Sequence, residues 1–326
     1  MEGPSTAAAH FVLAGPPSAL EPVPGGHIHA SWRVTAGRRR YLLQRLNTRV
    51  FADPDALTAN LAVVLEHIDG PLEIVPTVDA ERLWRGGVGG VWRMFPWLDG
   101  TRPARSTDAR AVAGAFGAFD RRLADLPPGA LVEVLPRFHD PPHRLSQLEA
   151  GVADDPCGRG RAAQPLVDGI RDLAWLATAL PALPRRVAHH DAKAGNVLVD
   201  ASGRVVAIVD LDTVMPGSPL WDAGDLVRSL AGTAAENDAD HMEADPALVD
   251  LILDAFLAGS GDLLDDGERE ALPLVGPVIA WEQAVRFLAD HLAGDVYFKV
   301  DGPGHNADRA AAQLRLARSL VSTLPP

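Results

Sequence analysis

The chain has 326 residues, with 30 Lys and Arg against 43 Asp and Glu, a formal charge of −13. That balance excludes a protein whose affinity rests on a basic footprint for nucleic-acid phosphates, and no run approaches the roughly 18 apolar residues of a membrane helix. An apolar share of 47% excludes a disordered chain, and a single cysteine, Cys157, excludes an intramolecular disulfide or a cysteine-based metal site.

The opening residues, MEGPSTAAAHFVLAGPPS, carry Glu2 and no basic region, so no targeting segment is visible and a cytoplasmic location is expected. Pro24-Gly25-Gly26-His27 reads as a tight connection. Residues 28–35 and 40–46 flank Gly37 and predict a β-hairpin. Asp53-Pro54 then opens a helix, Asp53 as N-cap, with Leu57, Leu61, Val64, Leu65 and Ile68 on one stripe. Two strands are predicted at 73–79 and 91–98. The Pro and Gly residues of 96–103 mark a boundary, after which Phe116, Phe119, Leu123 and Leu126 recur at helical spacing and helical patterns fill 142–180. A strand-rich island at 187–212 precedes a mostly helical remainder. The expectation is an α+β protein with a small antiparallel sheet plus helix over 1–98 and a larger, mainly helical lobe over 99–326. The lobe boundary falls at about 94–101, and a ligand cleft is expected between the two.

The island reads His189-His190-Asp191-Ala192-Lys193-Ala194-Gly195-Asn196, then a strand, a turn at Ser202-Gly203, a second strand and Asp210 at its end. The pattern H-x-D-x-K-x-x-N followed by Asp suits phosphoryl transfer. Asp191 can sit near an attacking hydroxyl. Asn196 and Asp210, on neighbouring strand ends of one hairpin, can converge on Mg²⁺, a cation that prefers oxygen ligands. Lys193 can balance charge on the transferring group, while the His189 ring is expected to bond backbone and hold the loop.

HHDAKAGN followed by IVDLD resembles the catalytic segment of the aminoglycoside phosphotransferase/choline kinase superfamily, relatives of the protein kinases. Within it, YLLQRLNTRVFADPDAL, IVDLDTVMPG, WDAGDLVRS and RFLADHLAGDVYFK resemble bacterial N-acetylhexosamine 1-kinases, with similarity spread over about residues 25–320. The resemblance implies a bilobal protein-kinase-like fold, with Asp191 as catalytic base and Asn196 and Asp210 as metal ligands. It also implies that His27, Arg286 and Tyr297 contact the hexosamine, that Asp212 reaches substrate or metal from one step further out, and that Asp222 braces the catalytic loop from a helix N-terminus, where an N-cap role would explain it.

The sequence also departs from the kinase pattern. There is no G-x-G-x-x-G loop, so Gly25 and Gly26 would cover the nucleotide phosphates with their amides. Gln44 occupies the position of the usual strand lysine, unless a bulge brings Arg45 round. Its helical partner would be Glu66 or Asn60. The crossing at Met94-Phe95-Pro96-Trp97-Leu98 would serve adenine with the amides of Phe95, Trp97 and Leu98, because Pro96 cannot donate.

Three activities are consistent with these residues. The first is an ATP- and Mg²⁺-dependent kinase forming a sugar 1-phosphate. The second is an aminoglycoside kinase whose acidic runs at 236–240 and 262–270 attract a polycation. The third is a kinase-fold binding module without turnover, suggested by the missing lysine. A protein kinase is not expected, since no D-F-G or A-P-E segment follows. A small sugar and ATP are the expected partners, with neither nucleic acid nor membrane.

Overall fold

The computed structural model describes residues 3–24, 28–87 and 90–324. A short helix α1 (Pro4–Ala8) and a strand β1 (Pro17–Pro22) come first, and neither is among the expected elements. β1 is an edge strand, where terminal prolines cost no ladder bond. The expected hairpin is β2 (Ala30–Ala36) and β3 (Arg39–Arg45). Helix α2 (Pro54–Ile68) follows, and the Asp53 carboxylate accepts from the Asp55 and Ala56 amides at its start. Strands β4 (Trp84–Arg85) and β5 (Val91–Pro96) complete an antiparallel sheet in the order β1-β2-β3-β5-β4.

The strand predicted at 73–79 does not form. Thr77 makes only an isolated bridge to Phe11, and Pro76, lacking an N–H, interrupts any longer ladder. The segment still lies along β5, because the Val75 amide donates to the Met94 carbonyl.

Alternation along β3 and β5 gives this sheet two faces. Tyr41, Leu43, Trp92 and Met94 pack with Ala7, Ala8 and Phe11 into an outer core. Leu42, Gln44, Arg93 and Phe95 face the other way, into a cleft. Leu61 and Val64 of α2 join the large helical core of the rest of the chain.

Beyond the crossing come β6 (Arg102–Pro103), α3 (Ala109–Arg122), α4 (Pro141–Asp154), α5 (Gly160–Asp172), β7 (Arg186–Ala188), β8 (Val197–Val199), β9 (Val205–Ile208) and β10 (Met215–Gly217). Four helices close the chain: α6 (Pro219–Leu230), α7 (Pro246–Ser260), α8 (Asp266–Ala293) and α9 (His305–Ser322). The expected hairpin, β8 with β9, gains β6 as a third strand, and β7 pairs separately with β10. Helix α3 lies directly on α7, since a Cβ on Gly117 would come within 2.2 Å of the Phe256 carbonyl oxygen. Helix α8 packs on α4, α6 and α9, and Trp281 is fully buried, donating its indole N–H to the Ile170 carbonyl. Among the described residues, no helix is long and apolar enough to cross a membrane.

Candidate active site

β7 ends at Ala188, and the chain turns through residues 189–196 before β8 begins. Asp191 projects from this loop, half-buried. Lys193 Nζ donates to its Oδ2 at 2.8 Å, and Asn196 Nδ2 donates to both its carbonyl and its Oδ2 at 2.8 Å. Burial works against charge here, but the Lys193 ammonium and the Asn196 amide outweigh it and hold the Asp191 carboxyl down at about 2. Asp191 is therefore a carboxylate at neutral pH, able to orient a hydroxyl and take its proton late. The same pairing raises Lys193 above its ordinary value despite burial.

His189 is fully buried. Its Nδ1 accepts from the Asp191 amide at 3.3 Å, which leaves Nε2 to donate to the Val209 carbonyl at 3.2 Å. Burial lowers its pKa to about 4, so the ring is neutral and positions the loop. His190 adopts the left-handed region with φ of 68°, a conformation that must be held from outside. Asp222 does so, its two oxygens accepting from the His189 amide at 2.7 Å and the His190 amide at 2.6 Å. Asp222 lies in the first turn of α6, but the N-cap of that helix is Ser218, whose hydroxyl accepts from the Leu220 amide. The N-cap account of Asp222 is thus replaced by direct capture of two loop amides. From α8, Glu282 accepts from the Asp140 amide and pairs with His139 Nδ1 at 2.7 Å, while His139 Nε2 reaches the His190 carbonyl at 3.2 Å.

The amide of Val209, next to Asp210 in the chain, donates to the Asn196 carbonyl at 2.8 Å, which sets Asn196 and Asp210 at neighbouring ends of the hairpin. With its amide nitrogen committed to Asp191, Asn196 has its amide oxygen left for the cleft. Asp210 takes φ of 61° and opens into the cleft. Crowding by surrounding protein, then the Asp212 and Asp191 carboxylates, raise it to about 6. Among the described residues it has no hydrogen-bond or ion-pair partner. An unpaired carboxylate beside an amide oxygen is a donor set that suits Mg²⁺.

Asp212, by contrast, is buried and fully paired. Arg93 of β5 donates through Nη1 and Nη2 at 2.5 and 2.6 Å, and His29 Nε2 lies 2.6 Å away. Burial would raise its pKa, but the Arg93 guanidinium and His29 hold it far below the usual carboxylate range. Gln44, directly across the strand pair from Arg93, accepts from Arg93 Nε and Nη2 at 3.0 and 2.9 Å. Arg45 falls on the opposite face from Gln44, outside the cleft lining, with no bulge to turn it. Neither expected helical partner faces the cleft. Glu66 is exposed, and Asn60 spends its amide on Val132, donating to its carbonyl at 2.7 Å and accepting from its N–H at 2.9 Å.

These residues line a cavity of about 450 Å³ between sheet and hairpin, closed at its far end by Phe95, Pro96, Trp97 and Leu98. Of the expected hinge donors, Trp97 gives its N–H to the Arg40 carbonyl at 3.0 Å. Antiparallel alternation sends the Phe95 amide to the same neighbour, so the Leu98 amide is the donor left.

Arg286 and Tyr297 border a second cavity, of about 740 Å³, that reaches the start of α2. The Arg286 guanidinium stacks over Phe138 at 4.7 Å, and the Phe138 ring meets His190 edge-on at 6.4 Å, next to Asp191 in the chain. Tyr297 is 45% exposed. Its segment hangs from Asp290, whose carboxylate accepts the Val296, Tyr297 and Phe298 amides at 2.8–3.0 Å and Asn306 Nδ2 at 2.9 Å. Arg144 also lines this cavity, its pKa lowered by burial and then by the neighbouring Arg286 charge. Gly25, Gly26 and His27 lie outside the described residues.

The sequence reading misses Arg93, His29, Asp120, His139, Glu282 and Asp290. For Arg93 a signal existed, since VWRMFP alternates and puts Arg93 on the same face as Phe95, but the β3–β5 register was needed to place it beside Gln44.

A small antiparallel sheet over a helical lobe, with the H-x-D-x-K-x-x-N loop at their junction, defines a kinase-like phosphotransferase. Residues 19–269 match the phosphotransferase enzyme family (APH), and the chain belongs to it. Among solved structures, it is similar to spectinomycin phosphotransferase in complex with ADP and spectinomycin (13% identity, 95% of this chain and 94% of that one, TM-score 0.62). A microcompartment-associated aminopropanol kinase matches at 16% identity over 98% and 97% of the two chains, with TM-score 0.62. Choline kinase from Streptococcus pneumoniae matches at 12% identity over 94% of each, with TM-score 0.60. At these identities the likeness is one of fold.

Proposed function

We propose that this chain is an ATP- and Mg²⁺-dependent sugar kinase that phosphorylates the anomeric hydroxyl of an N-acetylhexosamine or a related hexose, in the cytoplasm. Residues 1–98 would hold the nucleotide and 99–326 the catalytic loop and acceptor. The observation that carries the acceptor class is the 740 Å³ cavity, where Arg144 and Arg286 stand side by side with Gln147 and Tyr297. Asp53, Glu133 and Asp290 share the lining, so its charge does not choose the acceptor, but the arginine, glutamine and phenol donors suit the oxygens of a neutral sugar. Several residues of the acidic runs meanwhile have partners. Glu236 pairs with Arg228 and Arg309, Asp238 with His241, and Glu268 with Arg186, while Asp265 caps α8.

In the transfer, the anomeric oxygen attacks the γ-phosphorus, the bond to the β–γ bridging oxygen breaks, and ADP leaves. Asp191 orients the hydroxyl and receives its proton, and Lys193 balances charge beside it. Asn196 and Asp210 would hold Mg²⁺, which neutralises phosphate charge when bound. With Asp191 so weak a base, positioning and electrostatics supply most of the rate.

The test is to incubate the protein with ATP and Mg²⁺ against N-acetylglucosamine, N-acetylgalactosamine, glucosamine, galactose, glucose and kanamycin, reading products by phosphorus NMR. A phosphate coupled to an anomeric proton is expected. Asp191→Asn should lower turnover by about 10²–10⁴ while still binding ATP. Phosphorylated kanamycin with no sugar product would overturn the sugar reading, and ATP binding without turnover of any acceptor would favour the binding module.

A further inference from the structure

We infer that Arg93 holds the phosphates of the bound nucleotide, taking over from the strand lysine that Gln44 replaces. The inference rests on the kinase reading above. Among the described residues lining the 450 Å³ cavity, Arg93 is the one Lys or Arg. The cavity already gathers two carboxylates, Asp210 and Asp212, with Asp191 close by. A polyanionic nucleotide entering such a place needs a fixed cation.

The geometry sets Arg93 for that task. Its guanidinium lies over the Phe95 ring at 5.1 Å and is gripped by Gln44 on one edge and Asp212 on the other. A guanidinium carries five N–H donors. Four are spent in these contacts, and the fifth, on Nη1, meets no acceptor among the described residues.

Asp212 does not depend on Arg93 alone. The Asn47 amide donates to His29 Nδ1 at 3.0 Å, which places the ring proton on Nε2, facing Asp212. If Arg93 turns part of its fork to phosphate, His29 still serves the carboxylate.

The rival account is that Arg93 and Asp212 simply tie the sheet to the hairpin, and nucleotide titrations separate the two. ATP, ADP and adenosine would be titrated calorimetrically, with Mg²⁺ and without acceptor, into the wild-type protein and the variants Arg93→Gln, Arg93→Lys and Asp212→Asn. An anchor predicts that Arg93→Gln weakens ATP and ADP about tenfold to a hundredfold with adenosine unchanged. It also predicts that Arg93→Lys recovers much of the loss and that Asp212→Asn, which keeps an oxygen for Arg93 to donate to, costs ATP affinity clearly less than Arg93→Gln does. A clasp predicts equal losses for Arg93→Gln and Asp212→Asn, with adenosine affected as much as ATP, and that result overturns the inference. Should Arg93→Gln fail to fold around an unpaired Asp212, the double variant Arg93→Gln/Asp212→Asn replaces it, with Asp212→Asn as reference. Its ATP affinity must still fall. A wild-type protein that binds no ATP would remove the kinase reading itself, whereas ATP binding untouched by Arg93→Gln removes only this inference.

Discussion

At the scale of single residues, the most unusual pair is Asp120 of α3 and Asp222 of α6, 1% and 0% exposed. Both oxygens of Asp222 accept loop amides, and among the described residues no N–H or O–H from elsewhere reaches the Asp120 carboxyl. Burial pushes Asp222 up to about 7, and burial together with the Asp222 charge pushes Asp120 well above its ordinary value. Two such groups cannot both be charged. The proton belongs on Asp120, which then donates to Asp222. Unfolded aspartates titrate at about 3.9, so the raised folded values mean stability that is complete below that range and lost as pH rises through the folded pKa values. Stability, read as the thermal midpoint, should fall as pH rises from about 4 towards about 7, by up to roughly 1.4 kcal/mol per pH unit for one proton. Asp120→Asn, a donor that cannot ionise, should flatten that slope. An unchanged slope in the variant would refute the shared proton. Asp120 sits in a helix with its partner a hundred or so residues away, which is why sequence reading passes it over. Asp191, Asn196 and Asp210 lie within one short loop and hairpin, and are legible because spacing alone brings them together.

At the scale of elements, the same distinction holds. The β2–β3 hairpin and α2 are written in local turn and cap chemistry, as Gly37 and Asp53-Pro54 show. The strand expected at 73–79 failed because alternation of side chains does not guarantee a neighbour free to pair, and Pro76 broke the ladder. β10 was equally invisible, yet it shapes the loop that carries Asp191, since a Cβ on Gly217 would come within 2.0 Å of His190 Cε1. Gly217→Ala should therefore displace the ring beside Asp191, costing about 1–3 kcal/mol of stability and a larger share of turnover, measurable by denaturant titration alongside steady-state kinetics. The segment carrying Tyr297 has a different anchor. Asp290→Asn would weaken the grip on the Val296, Tyr297 and Phe298 amides. The expected result is a raised KM for the acceptor with KM for ATP unchanged; equal rises in both would detach this segment from the acceptor.

Across the whole molecule, the sheet and the helical body are joined by α2. Leu61 and Val64 enter the large core, and Asn60 makes two hydrogen bonds to the Val132 backbone. Asn60→Leu would leave both backbone groups without partners, at about 1–3 kcal/mol each. Amide exchange should quicken in α2 before it does in α8 or α9. Pro and Gly residues suggest a lobe boundary in the sequence, but this strut leaves no such mark, because nothing local to Asn60 names Val132. The loop that carries Asp191 has supports of similar reach. It is suspended from three helices at once, through Asp120 behind Asp222, through Asp222 itself, and through Glu282 and His139. Chemistry in this protein is thus a readout of global cooperativity. A fragment lacking α3, α6 or α8 is expected to lose turnover, and activity should vanish in denaturant along the same curve as the helical signal; activity that outlasts or precedes that signal would refute the coupling.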